Sequence, residues 1–237
     1  MAWMRNSRAL LAALCVAVSL AGAAARADGE EPKDCAREIA ARVQSRYDGV
    51  KDIEARFTQK SKSVAFGGAG QQEMEASGVA LFAKPGRMRW TYEKPEPSLV
   101  VSDGKTLWIY DPTAREAQEF PVGQGFLSGT AVQFLLGEGK ILDAFTVRAE
   151  RCTGDPVRLV LTPREEASYE TLELLVSPAS GDVRATAVVD LFGNRTDVSF
   201  ESLRVDRNPD PARFRFEPEP GVRVLRANEP AGAGVSK

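Results

Sequence analysis

Lys84-Pro85-Gly86-Arg87-Met88-Arg89-Trp90-Thr91-Tyr92-Glu93-Lys94-Pro95 and, just downstream, Leu99-Val100-Val101-Ser102-Asp103-Gly104-Lys105-Thr106-Leu107-Trp108-Ile109-Tyr110-Asp111-Pro112 decide the fold class. Met88, Trp90 and Tyr92 alternate with Arg87, Arg89 and Thr91. That period of two belongs to a strand with one face in a core and the other in water. Lys84-Pro85-Gly86 marks a turn before it, and Asp103-Gly104 joins the apolar runs Leu99–Val101 and Leu107–Tyr110 as a hairpin.

Upstream, the same period runs through Ile53, Ala55 and Phe57. Downstream, Asp111-Pro112, Ser180-Gly181-Asp182 and Gly193-Asn194 cut the chain at hairpin-like intervals, so one long antiparallel meander is expected. Two helices frame and interrupt it. Asp34 can cap a helix whose apolar stripe is Ile39, Ala40, Val43 and Tyr47, ended by Gly49. After the glycine-rich loop Gly123 to Gly129, Thr130 can cap a short helix carrying Val132, Phe134, Leu135 and Leu136, closed by Gly137. A helix that apolar must be buried or must cover something apolar.

The two ends read differently from the middle. Arg5 and Arg8 precede an uncharged apolar run to Ala25, and Ala25-Arg26-Ala27 is an A-x-A cleavage signal, so residues 1–27 read as a cleaved secretory signal peptide. Its strongly apolar core, Leu10 to Leu20, is short of the ~20 residues of a membrane span. Cys15, inside that core after Leu14, is misplaced for lipid modification, so no permanent membrane anchor is expected. The expected domain is a single β unit over residues 28–227, followed by a Pro/Gly/Ala-rich flexible tail, 228–237.

Of 31 basic and 33 acidic residues, the signal segment removes three arginines and no acid, leaving a net charge of about −5. That balance argues against a nucleic-acid partner, which needs a basic face. Cys35 and Cys152 remain, either as a disulfide in an oxidising compartment or as two buried thiols.

The chain has no histidine. Ser-His-Asp and Cys-His nucleophiles, His-ligated zinc or haem, and imidazole general bases are therefore excluded. Gly104-Lys105-Thr106 resembles the end of a phosphate loop, but Leu99 stands where its first glycine belongs. Neither Gly68-Ala69-Gly70 nor Gly123-Gln124-Gly125 completes a dinucleotide motif, because Glu73 and Ser128 occupy the third glycine position. Glu165-Glu166 and Glu217 with Glu219 read as solvated turns. No catalytic residue, metal site or cofactor is assigned. What stands out is large apolar material, Phe57, Phe82, Met88, Trp90, Trp108, Phe134 and Phe145, which either fills a β core or lines the inside of a curled sheet.

The Lys84–Pro112 block closely resembles the LolA family of periplasmic carriers of outer-membrane lipoproteins. Further matches are Ile53-Glu54-Ala55-Arg56-Phe57-Thr58-Gln59, Thr130 to Gly137, Asp190-Leu191-Phe192-Gly193-Asn194-Arg195-Thr196, and Phe214-Arg215-Phe216-Glu217-Pro218 with Pro220-Gly221-Val222. The resemblance spans roughly Cys35 to Val224. It implies a mainly β fold, an incomplete and strongly curved antiparallel β-barrel with a helical lid over an apolar cavity. It also implies a periplasmic protein without ATP or other cofactor, whose partners are lipid-modified proteins, an inner-membrane ABC-type lipoprotein release complex and an outer-membrane acceptor lipoprotein.

Carried onto these residues, the resemblance makes Tyr47, Phe57, Phe82, Met88, Trp90, Trp108, Val132, Leu135 and Leu136 the acyl cavity and lid. Lys84 falls where the family has a basic residue, typically arginine, that latches barrel to lid; an ammonium has three donors but lacks the planar fork of a guanidinium. The plainer reading of Lys84 is a solvated residue before a turn proline. The alternative function is a lipid-binding or envelope-stress-sensing protein of the same fold, and an enzyme acting on lipid or glycan is the third possibility.

Overall fold

The computed structural model of the chain describes residues 32–64, 72–122 and 139–226. The expected signal peptide, the apolar helix over 130–137 with Val132, Leu135 and Leu136, and the tail 228–237 lie outside the described residues. A 17-residue helix α1 (Pro32–Asp48) leads into β1 (Asp52–Ser63), β2 (Gln72–Ala83), β3 (Arg87–Lys94), β4 (Ser98–Ser102), β5 (Thr106–Asp111) and β6 (Glu116–Pro121). A short helix α2 (Ile141–Ala144) then precedes β7 (Phe145–Ala149), β8 (Val157–Pro163), β9 (Tyr169–Val176), β10 (Val183–Asp190) and β11 (Arg195–Val205). A 3-10 turn, Pro211–Phe214, and β12 (Arg223–Arg226) complete the order.

All of these strands belong to one sheet, ordered β12-β6-β5-β4-β3-β2-β1-β11-β10-β9-β8-β7. The expected single meander is therefore two meanders, β1–β6 and β7–β11, spliced through an antiparallel β1–β11 pair that places Phe57 opposite Phe200. The last strand also departs from expectation, since β12 pairs parallel to β6. Both departures are non-local pairings, which turn signals do not encode. The sheet is curved and open, and its inner face shares one core with α1.

Helix α1 starts at Pro32, two residues before the cap expected at Asp34. Proline suits a first helical turn because its missing N–H has no partner there in any case, and Asp34 instead places negative charge against the helix N-terminus. Ile39, Ala40, Val43 and Tyr47 are all buried, as the apolar stripe requires. In β1 and β2 the inner row is Ile53, Phe57, Ala80 and Phe82. Phe57 lies opposite Gly78, where an added Cβ would stand 1.9 Å from the Thr91 carbonyl oxygen, so only glycine fits.

The outer face of β2–β5 carries the chain's C-terminal segment. Phe214 is buried with Leu81 and Ala83 under the Arg87 guanidinium, which lies 5.2 Å from its ring centroid. Phe216 packs on Trp108 and Tyr110, at 5.4 and 5.0 Å. Trp108, expected in the cavity, is thus on the outer face, while its neighbour Leu107 points into the inner core. The run Leu107-Trp108-Ile109-Tyr110 is apolar on both faces because both faces are covered, one by the core and one by Phe216.

Candidate apolar binding face

The inner face divides into two halves of different chemistry. Beneath α1 and along β7–β10 it is aliphatic and closed: Val147, Leu159, Leu161, Leu172, Leu174 and Val176 are all buried. Toward β1–β3 it is aromatic. Trp90 meets the edges of Phe57 at 4.7 Å and Phe82 at 5.5 Å between ring centroids, and lies 6.5 Å from Phe200. Tyr92 stands edge-on to Phe57 at 5.1 Å, and its hydroxyl donates to Gln59 Oε1 at 3.1 Å. Such offset and edge-on rings each add some 0.5–1.5 kcal/mol to plain burial.

The aromatic half is not sealed. Trp90, Tyr92, Val100, Phe120, Val122, Val198 and Phe200 pack on the core yet remain half-buried. A crevice of about 10 Å³ runs between Tyr47, Ile53, Phe82, Val183, Phe200 and Leu203. It holds roughly one water molecule. Anything larger than a water molecule entering there must displace these side chains or α1.

Lys84 sits at the point where α1 meets the β2–β3 turn. Its Nζ donates to the carbonyl oxygens of Tyr47 at 2.6 Å and Asp48 at 3.3 Å. These are orphan carbonyls at the helix C-terminus, where a cation is favoured by the helix dipole. Gly49, expected to end the helix, is not in the left-handed conformation that often closes helices; Lys84 and the Val50 N–H, which donates to Tyr47 O, serve instead.

The rest of α1 is held by the β7–β10 arm. Cys35 is bonded to Cys152, just beyond β7, with Cα atoms 6.1 Å apart. Tyr47 Oη accepts from the Val183 N–H at 3.0 Å, and burial pushes the phenol above its ordinary range, keeping it neutral. Arg46 pairs with Asp182 at 2.8 Å, and Arg42 donates to the Pro178 carbonyl. Ser180 and Arg46 together hold the Asp182 carboxyl below its usual range.

The structure thus brings Tyr47, Phe57, Phe82, Met88 and Trp90 to the inner face and Lys84 to the end of α1, and it removes Trp108. Met88 is 5% exposed and crosses from Phe82, so it belongs to the floor beneath α1 and not to the half-buried half. Phe120, Val198 and Phe200 were missed. Val198-Ser199-Phe200 carries the alternation that could have flagged β11; Phe120 follows Gln118-Glu119 and gives no such signal.

An open, curved antiparallel sheet with a half-buried apolar inner face is the architecture of a protein that can shelter apolar material. The family model "Outer membrane lipoprotein carrier protein LolA" matches residues 48–217, and the chain belongs to that family. An outer-membrane lipoprotein carrier protein from Methylibium petroleiphilum is 32% identical over 94% of this chain and 99% of its own. Another from Chromobacterium violaceum is 33% identical over 78% of this chain and 86% of its own. A crystal structure of a LolA superfamily protein from Nitrosomonas europaea aligns with 76% of this chain and 97% of its own at 10% identity, with a TM-score of 0.41.

Proposed function

We propose that this protein binds the acyl chains of lipid-modified proteins on its inner face and carries them from the inner to the outer membrane. Family membership supports the carrier role, and the half-buried aromatic half of the inner face is the observation that carries it to these residues. Moving acyl chains through water costs ~0.8 kcal/mol per methylene, so a free lipoprotein cannot leave a membrane without an apolar shelter.

The carrier unit is residues 28–227, acting in the periplasm after loss of residues 1–27. No helix among the described residues is long and apolar enough to cross a membrane. Loading comes from an inner-membrane ABC-type release complex and unloading goes to an outer-membrane acceptor lipoprotein; the carrier performs no chemistry and uses no cofactor. Lys84 is the latch. In the empty state its ammonium fixes the C-terminal end of α1 over the crevice, and cargo must outcompete that closed arrangement, which keeps net affinity low enough for release.

The direct test mixes purified protein with a triacylated lipoprotein in the absence of detergent. The lipoprotein should stay in the supernatant on ultracentrifugation with the protein and sediment without it; equal sedimentation in both would falsify the carrier reading.

A further inference from the structure

Along β1 the inner row reads Ile53, Ala55 and Phe57, then Gln59 and Ser61; along β11 it reads Phe200 and Val198, then Thr196. The apolar face thus turns polar at one level, just beyond its aromatic half. The polar side chains there are joined across three strands. Tyr92 Oη donates to Gln59 Oε1 at 3.1 Å, Gln59 Nε2 donates to Ser61 Oγ at 3.2 Å, and Ser61 Oγ lies 3.5 Å from Thr196 Oγ1. All four side chains are half-buried. Burial holds the Tyr92 phenol above its ordinary range, so it stays an uncharged donor.

We propose that this row binds acyl carbonyls: its neutral donors receive the oxygens that head the cargo's ester-linked acyl chains, while the chains themselves lie on the neighbouring rings. The inference rests on the carrier reading and adds to it a preference for one kind of lipid linkage.

Two observations select uncharged carbonyls as the ligand. First, the row has donors to spare. A side-chain amide nitrogen carries two hydrogens and Ser61 takes one of them, while the Ser61–Thr196 contact uses one hydroxyl hydrogen of the two. One N–H and one O–H therefore have no further partner among the described residues, and both stand at the border of the apolar face. An acyl carbonyl drawn onto such a face loses its water and needs a donor of this kind in exchange. Second, charge is sorted by face. At the same level Lys60, Lys62 and Arg195 occupy the alternate, opposite-facing positions, where they pair with Glu75, Glu73 and Glu173. Positions that merely face water would accept the same charges; the inner positions carry an amide and hydroxyls instead. A fatty-acid carboxylate or a phosphate would find no cation in this row, whereas an ester needs none.

The test titrates the mature full chain, by tryptophan fluorescence, with a synthetic peptide bearing a short-chain triacylated N-terminal cysteine, and with its analogue in which ether links replace the esters. The native protein should bind the ester peptide about tenfold more tightly. Gln59→Leu should bring that ratio to about one; the ratio is blind to any effect of the substitution on folding or on the apolar face, which both peptides share. Ser61→Ala/Thr196→Val keeps the Tyr92–Gln59 bond and should lower the ratio about threefold, which tests the row independently of Gln59. Phospholipids carry the same esters, so a parallel arm adds short-chain phosphatidylcholine as a competitor. Displacement of the peptide, weakened by Gln59→Leu, places glyceryl esters in the row whichever molecule brings them, and no displacement leaves the cargo as their source. Equal native affinities for the ester and ether peptides, or a preference that survives both variants, would overturn the inference. Failure of the native protein to bind either peptide is the separate failure of the carrier reading, and the inference falls with it.

Discussion

The two flanks of α1 are held by different physics. On the β7–β10 side it has a disulfide, a tyrosine hydroxyl bonded to Val183, the Arg46–Asp182 pair and a closed aliphatic floor. On the β1–β3 side the polar attachment of its C-terminal end is Lys84, and the floor is a half-buried group of rings. Redundant ties of large summed energy make a rigid body, while one ammonium on two carbonyls is a contact a ligand can replace. By its ties, α1 belongs with the β7–β10 arm, and under the proposed carrier role the crevice beside Phe82 and Phe200 is the expected place of opening.

The covalent tie gives the largest expected effect. Cys35→Ala/Cys152→Ala opens a loop of 117 residues and should cost about 5 kcal/mol in urea unfolding. An unchanged midpoint would mean that the apolar stripe alone fixes α1. The two floors should then separate. Leu161→Ala, at a site with no exposure, should cost about 3 kcal/mol while leaving lipoprotein retained per folded molecule intact. Trp90→Ala, at a half-buried site, should cost less stability and should reduce retention; if both variants lose retention in step with stability, the division of the inner face into scaffold and binding half is wrong.

Lys84→Met leaves two helix-terminal carbonyls without their cation and should cost about 1 kcal/mol. Its sharper readout is amide exchange at Val50, whose N–H donates to Tyr47 O; exchange should quicken there and not at Val183. Transfer to an acceptor should change more than loading. The smallest effect belongs to Asp182→Asn, under about 1 kcal/mol, because the pair is exposed and screened. Since the folded carboxyl titrates below its unfolded value, its contribution is complete above about pH 4 and is lost as pH falls through the lower folded value. The difference between native and Asn variants should therefore vanish in acid, and a difference that grew there would contradict the pairing.

Much of this inner face was legible in the sequence where a strand has one wet side. Ile53, Phe57, Met88 and Trp90 alternate with charged or polar neighbours, and all four face inward. Trp108 was not legible, because a strand covered on both faces has no alternation to read. The splice of β1 to β11 and the parallel β12 are pairings between distant segments, which local period and turn chemistry leave undetermined. Lys84 shows a third case: its place before Pro85 suggests a turn, the latch reading comes through the family resemblance alone, and its partners lie more than 30 positions away, at Tyr47 and Asp48.

A sheet left open to admit lipid also keeps its borders, and borders recruit other strands. Here the outermost strands are short: β12 has four residues and β7 five. Arg223 and Arg226 of β12 reach back to Glu116 and Glu119 of β6, placing cations along that border. Strands this short offer few free ladder positions to an incoming one. The short parallel strand β12, tied to β6 through both of its arginines, therefore offers a further strand a poor template on that side of the sheet.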